Sequence, residues 1–458
     1  MSAAMLDRPN GLDGVDGLRA RPRRAGFPSW RTGPRVAFVS SFPPRRCGIA
    51  SFTADLARSL KRALPSAHVG VIAIDPSWER MDRQPPYAAG VDEVLSVTLE
   101  DPDSYTAAAA WAERQGYEVL CVQHEYGIFG GDHGEYVVTH LLRATRLPVV
   151  TTLHTVLRRP NEKQRQLLVE LAARSRTVVV QARSALDLLE RVYGIDRARV
   201  LIIPHGTPDF PAIPSAEAKA RFGFGERPVL LTYGLLSPGK GIEQAIQALP
   251  EIARRRPDVL YVVAGQTHPN VRKISGEAYR ESLIRMAAEL GVGSNVQFID
   301  RYLDIEDLGW LLAAADVYVL PYPNEDQAVS GTLSYALAAG KAVVSTPFRY
   351  ARELIGPGRG LLCRFGDPSS LAAEVLRVLE SEDLRRTLEH RARAFGQSMS
   401  WEIVGARYGR LFEWVVGSSR EEPAVPDASS AAWAAKMGTP RGVPLSGDWS
   451  QAHSQPGR

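Results

Sequence analysis

The chain has 458 residues, 45% apolar and 23% charged, which fits about three domains of average size or two larger α/β domains with tails, and excludes a fibrous or wholly disordered chain. Its net charge of +4 is mostly in residues 1–34, where six arginines face three aspartates, so +1 remains for the other 424 residues and the broad basic face of a nucleic-acid binder is not expected. Three distant cysteines (Cys47, Cys121, Cys363) make a poor disulfide framework, and neither a spanning apolar run nor a signal peptide is seen; a reduced, cytoplasmic protein is expected, with peripheral membrane contact left open.

Residues 1–34 lack periodicity and read as a disordered tail. The first predicted strand is Val36–Val39, followed by a helix from Ser51 or Thr53 to Leu64 whose apolar stripe carries Phe52, Leu56 and Leu60. Further strands are predicted at Val69–Ile74, Val119–Gln123, Val149–Leu153, Thr177–Gln181 and Val200–Ile203. The Pro-rich stretch 208–214 reads as a linker, after which the alternation restarts: Val229–Tyr233, Tyr261–Ala264, Val296–Phe298, Val317–Leu320, Ala342–Ser345 and Gly360–Leu362. Strands alternating with helices predict two doubly wound parallel sheets, an α/β architecture whose sites lie at strand carboxyl ends and, for paired domains, in the cleft between them. A first domain at 35–207, a second at 208–397, a last helix at 398–416 and a second disordered tail at 417–458 complete the division.

Three strand-to-helix turns carry chemistry. In Ser40–Thr53, Gly48 before a helix allows backbone N–H groups to approach an anion, although an ordinary turn glycine explains it equally well. Tyr233–Gly241 places Lys240 between Gly239 and Gly241, where an ammonium pairs with phosphate as a point charge; a solvated loop lysine is the bland alternative. In Pro321–Gly340, Ser330 caps a helix whose first turn holds Gly331 and Thr332, either an anion seat or a plain capped helix. The histidines His124, His154 and His205 lie near strand ends, and their spacing fits no metal site.

At these residues the chain resembles the retaining glycosyltransferases of family 4, the group 1 glycosyltransferases. The resemblance runs in order from Val36 to about Val415: Ser-Phe-Pro-Pro…Cys-Gly-Ile-Ala, His154, Ile203-Pro-His-Gly206, Gly239-Lys-Gly241, Val-Val-Ala-Gly265, Ala-Ala-Asp-Val-Tyr-Val-Leu-Pro321, Ser-Gly-Thr-Leu333, Ala-Ala-Gly-Lys341 and Arg352-Glu-Leu-Ile. Ser400-Trp401 before helix 402–415 looks like the family's segment that crosses back to the first domain. It implies the GT-B fold, two facing Rossmann-like domains with the acceptor on the first and the donor on the second.

Carried onto this sequence, the resemblance assigns Lys240, Gly239, Ser330 and the N–H groups of Gly331 and Thr332 to the donor diphosphate. His154 and Gln327 would stand beside the transferred sugar, and Tyr335 or the His205 segment beside the nucleoside. Gly48 would approach from the opposite domain, with His124 and Glu125 on the acceptor side. The partners implied are a nucleotide-diphosphate sugar and a hydroxyl acceptor, with no cofactor or metal. Two departures stand out: Gln327 and Tyr335 occupy the places of two glutamates, with Glu325 and Asp326 just upstream, and Leu235 follows Gly234 where the family often has a basic residue, for which Arg301 is a candidate substitute. These departures keep two alternatives open, a catalytically weak sugar-nucleotide or glycan-binding partner protein and a sugar phosphorylase. The sequence names neither the sugar, the base, the acceptor nor the oligomeric state.

Overall fold

The computed structural model describes residues 33–45, 47–76 and 90–421. Residues 1–32 of the N-terminal tail and all but the start of the C-terminal one lie outside this range. The first sheet is built from β1 (Arg35–Ser40), β2 (His68–Asp75), β3 (Glu93–Thr98), β4 (Val119–His124), β5 (Val149–Leu153), β6 (Thr177–Val180) and β7 (Val200–Ile202), with α1 (Gly48–Ala63), α2 (Pro102–Arg114), α3 (Glu162–Arg174) and α4 (Arg183–Tyr193) between strands. The order is β3-β2-β1-β4-β5-β6-β7, all parallel. Central strands are buried on both faces, which is why they read as unbroken Val, Ile and Ala runs rather than alternating ones.

The second sheet restarts after residues 208–214, which carry no helix or strand. α5 (Ser215–Phe222) leads into β8 (Val229–Tyr233), α6 (Ile242–Arg255), β9 (Leu260–Ala264), α7 (Pro269–Ser275), α8 (Ala278–Glu289), β10 (Val296–Ile299), α9 (Ile305–Ala314), β11 (Val317–Leu320), α10 (Gly331–Ala338), β12 (Ala342–Ser345), α11 (Arg349–Ile355) and β13 (Leu361–Leu362). Its parallel order is β10-β9-β8-β11-β12-β13, and α12 (Pro368–Glu380) and α13 (Glu382–Gln397) close the domain. Both sheets are Rossmann-like, as expected. In each, strand order reverses once, between β1 and β4 and between β8 and β11; a ligand crevice opens at the carboxyl ends beside such a reversal.

Several elements depart from their predicted bounds. β3 was not expected; it is an edge strand with one buried residue, so its apolar pattern is faint. α1 starts three residues early because the Cys47 thiol caps it, accepting from Ala50 N at 3.3 Å. α6 continues past Leu249 through Pro250, held by the buried face of Ala245, Ile246, Leu249 and Ile252. The final helix, α14 (Trp401–Glu421), overruns its expected end at 416.

α14 returns to the first domain and packs on α1, burying Trp401, Val404, Tyr408, Leu411 and Phe412 in the same core as Phe38, Leu56 and Leu60. The two chain crossings between domains are bonded to one another: Thr207 N donates to Met399 O at 2.8 Å and Trp401 N to Thr207 O at 2.9 Å. No helix among the described residues is long and apolar enough to cross a membrane.

Candidate functional site

The turn after β8 is shaped by glycine. Gly234 takes φ 129°, and a Cβ there would stand 3.5 Å from the Thr332 methyl and 3.9 Å from Lys240 Nζ. Gly241 has φ 63° and lies so close to the Pro321 carbonyl that a Cβ would come within 2.0 Å of its oxygen. This close approach seats Lys240 against the chain leaving β11. Lys240 Nζ donates to the Tyr322 hydroxyl at 2.7 Å; that hydroxyl is 3.2 Å from Thr332 Oγ1, which is 3.1 Å from Ser330 Oγ. Ser330 in turn caps α10, accepting from Leu333 N at 3.2 Å.

A hydrogen-bonded chain thus joins the ammonium to a helix start, whose first N–H groups lack intrahelical partners and carry the positive end of the helix dipole. Burial, the largest single influence, raises the Tyr322 phenol, but the Lys240 charge together with hydrogen bonds from Lys240, Thr332 and Ser330 outweighs it and holds the group below its ordinary range. Lys240, Ser330, Gly331 and Thr332 are therefore brought together, around a tyrosine the sequence reading missed. Its one sequence signal is position: Tyr322 lies two residues beyond the carboxyl end of the strand at the reversal.

The first domain contributes an aromatic wall. Phe52 of α1 meets His154, His205 and Trp401 edge-on, at ring centroid distances of 4.8, 5.1 and 5.2 Å. His154 Nε2 lies 3.0 Å from Gln123 Oε1, and Gln181 Nε2 lies 3.2 Å from His154 Nδ1. One neutral tautomer satisfies both contacts, with Nε2–H donating and Nδ1 accepting. Burial pushes this imidazole down to about 3, helped by the nearby His205 and His124 rings. Both ring nitrogens are thus occupied by glutamines that sequence reasoning did not single out.

His205 Nδ1 donates to Gly206 O at 2.8 Å, and burial lowers its ring to about 4. Its other edge faces α10: a Cβ on Gly331 would stand 3.1 Å from Nε2. The His205 ring and the start of α10 therefore lie side by side. Tyr335 stands beside them, its ring 6.0 Å between centroids from each of His205 and Phe210.

The remaining candidates have partners of their own or none. Gln327 donates its amide N–H within its own loop, to Val329 O at 2.9 Å. Arg301, on the edge of the second sheet, is ion-paired with Asp307, and Glu325 with Arg352 at 3.1 Å. A Cβ on Gly48 would meet nothing within 4 Å, and one on Gly239 only Ser237 Oγ at 3.8 Å, so neither is glycine for steric reasons within the chain. His124 is wholly buried against Phe129 and Tyr126 with both nitrogens unpartnered, and burial pushes it down to about 3. Glu125 Oε2 accepts from Thr155 at 2.6 Å, and burial raises its carboxyl. Among the described residues no three His, Cys, Asp or Glu side chains gather as a metal site would need.

A family model described as glycosyl transferases group 1 matches residues 215–395, and one described as glycosyltransferase family 4 matches residues 47–209. The chain belongs to the group 1 glycosyltransferases. The glycosyltransferase is 28% identical over 214 residues to a GDP-mannose-dependent monoacylated alpha-(1-6)-phosphatidylinositol monomannoside mannosyltransferase of Corynebacterium glutamicum, covering 45% of this chain and 52% of that one. It is 26% identical over 308 residues to a phosphatidyl-myo-inositol mannosyltransferase of Mycobacterium tuberculosis, covering 62% and 76%. The match thus spans about half the length of the first of these relatives.

Among solved structures, sucrose-phosphate synthase of Thermosynechococcus elongatus superposes with a TM-score of 0.69 at 20% identity over 84% of this chain and all of that one. Anabaena HepE in complex with UDP gives 0.65 at 17% identity over 83% and all. At such identity they show the fold, which is GT-B.

Proposed function

We propose that this glycosyltransferase moves a hexose from a nucleotide-diphosphate sugar to a hydroxyl acceptor, a glycan, glycolipid or small molecule, with retention of anomeric configuration. The observation that carries it is the Lys240–Tyr322–Thr332–Ser330 chain at the second sheet's reversal. As the sugar–phosphate bond breaks, charge gathers on the departing diphosphate. An ammonium and first-turn N–H groups, fixed before the reaction, stabilise that charge without a metal. The acceptor hydroxyl attacks on the face the diphosphate leaves, and a leaving-phosphate oxygen takes its proton. Such a path requires no side-chain nucleophile.

The relatives named as GDP-mannose-dependent make GDP-mannose the first donor to try. The work is placed in the cytoplasm, with peripheral contact to a membrane. A second reading, a sugar-nucleotide-binding partner with little turnover, draws on one feature: the His154 nitrogens and the Gln327 amide are all bonded within the protein. Calorimetry of the full chain with GDP-mannose, UDP-glucose and ADP-glucose, followed by NMR of the product anomer with methyl mannoside or inositol as acceptor, separates the two. Transfer with retention supports the first; tight binding without turnover across acceptors supports the second; no binding overturns both.

A further inference from the structure

α11 joins the two domains through side chains the transfer reading leaves unused. Arg349 Nη2 donates to Val156 O, in the chain leaving β5, at 3.0 Å, and to Asp326 O, in the Gln327 loop, at 3.1 Å. Its own N–H donates to Glu325 O at 3.0 Å. Nε and Nη1 are buried without hydrogen-bond partners, so bridging two carbonyls of different domains is the bonding this guanidinium does. One turn on, Glu353 crosses the same gap: its two oxygens accept from Arg183 N at 2.7 Å and Ser184 N at 3.0 Å. Those amides open α4, whose cap residue Ala182 has no side chain to satisfy them. A carboxylate on α11 therefore caps a helix of the other domain, at the end where negative charge is favoured.

The two groups do different work. Glu353 holds domain to domain. Arg349 also reaches the loop that carries Gln327, pinning it at two successive carbonyls and fastening it two residues from His154. We infer that Arg349 is a positioning residue, setting the Gln327 loop against the β5 strand end so that the sugar of a sugar nucleotide is gripped between them. This rests on the transferase reading, and it reaches a residue that touches neither substrate nor reacting atoms.

The test uses the full chain and two probes, GDP and GDP-mannose, or UDP and UDP-glucose if the wild type prefers uridine. Arg349→Met removes both bridging bonds at similar length. It is expected to lose roughly five- to a hundredfold of the affinity gained from the sugar, while the nucleoside diphosphate, seated at Lys240, binds as in wild type. Arg349→Lys, with one ammonium for two carbonyls, falls between, and carries the test should Arg349→Met be insoluble.

Glu353→Gln supplies the control. It should loosen the domains, read as a larger radius of gyration by small-angle scattering, yet keep the sugar's contribution because Arg349 still holds the loop. Arg349→Met weakening both probes equally, or neither, overturns the inference. Glu353→Gln losing the sugar's contribution as Arg349→Met does also overturns it, since closure alone would then explain the effect. A wild-type chain that binds none of the probes instead overturns the transferase reading beneath it.

Discussion

Lys240 and Tyr322 meet twice: the ammonium donates to the phenol oxygen at 2.7 Å and lies 4.6 Å from the centre of its ring. Lys240→Ala is expected to weaken nucleoside diphosphate binding by about 1.5–3 kcal/mol, the worth of a hydrogen bond to a charged group. Tyr322→Phe keeps the ring face but cuts the link to Thr332, and should cost less, about 0.5–1.5 kcal/mol. Titration calorimetry reads both; unchanged affinity in Lys240→Ala would remove Lys240 from the donor site.

Gly206 lies under the indole of Trp401, where a Cβ would come within 2.1 Å of the ring. Gly206→Ala must displace either the chain crossing at 206–207 or the ring. We expect a loss of about 1–3 kcal/mol, as for an overpacked core, seen in chemical denaturation. A neutral outcome would mean that Trp401 yields freely.

The buried histidines set a pH dependence. His124 and His154, held down to about 3 from 6.5, stay neutral in the folded chain while the unfolded chain protonates them below pH 6.5. Their contribution is complete above 6.5 and is lost as pH falls, each histidine approaching about 1.4 kcal/mol per pH unit. His124→Leu should therefore flatten the stability slope between about pH 5 and 6 by roughly that amount. At pH 7 its stability should not fall, because two unpartnered nitrogens are removed with the ring. A slope identical to wild type would show that His124 takes up its proton in the folded chain at the same pH as in the unfolded one.

Gln327→Glu tests the loop chemistry. The new carboxylate would face the Val329 carbonyl to which Gln327 now donates. The turn should lose about 1–3 kcal/mol, the penalty of leaving a polar group unsatisfied, visible as a lower melting temperature. If binding of GDP-mannose rises at the same time, the carboxylate has turned toward the sugar.

Strands buried on both faces were legible because their β-branched runs need no partner to be recognised; the Val229–Tyr233 and Val317–Leu320 predictions match residue for residue. The Cys47 cap was hidden because a thiol is not the usual helix-capping group, and β3 because an edge strand with one buried residue has little pattern to show. Lys240 and Ser330 were legible from glycine spacing and cap chemistry. The bridging roles of Arg349 and Glu353 were not, since their partners are backbone atoms 193 and 170 residues away, and nothing in a local window encodes a carbonyl or an amide of the other domain.

The return of α14 to the first domain sets an order of synthesis. Residues 35–207 leave the ribosome first, but the surface that α1 offers to Trp401, Tyr408 and Phe412 stays uncovered until residues 401–416 have been made. The second sheet and its helices, continuous from 215 to 397, can close meanwhile. Nascent domains usually finish in the order they emerge. Here the half made first finishes last, and the apolar groove awaiting α14 is what a chaperone would meet on a ribosome stalled before residue 401.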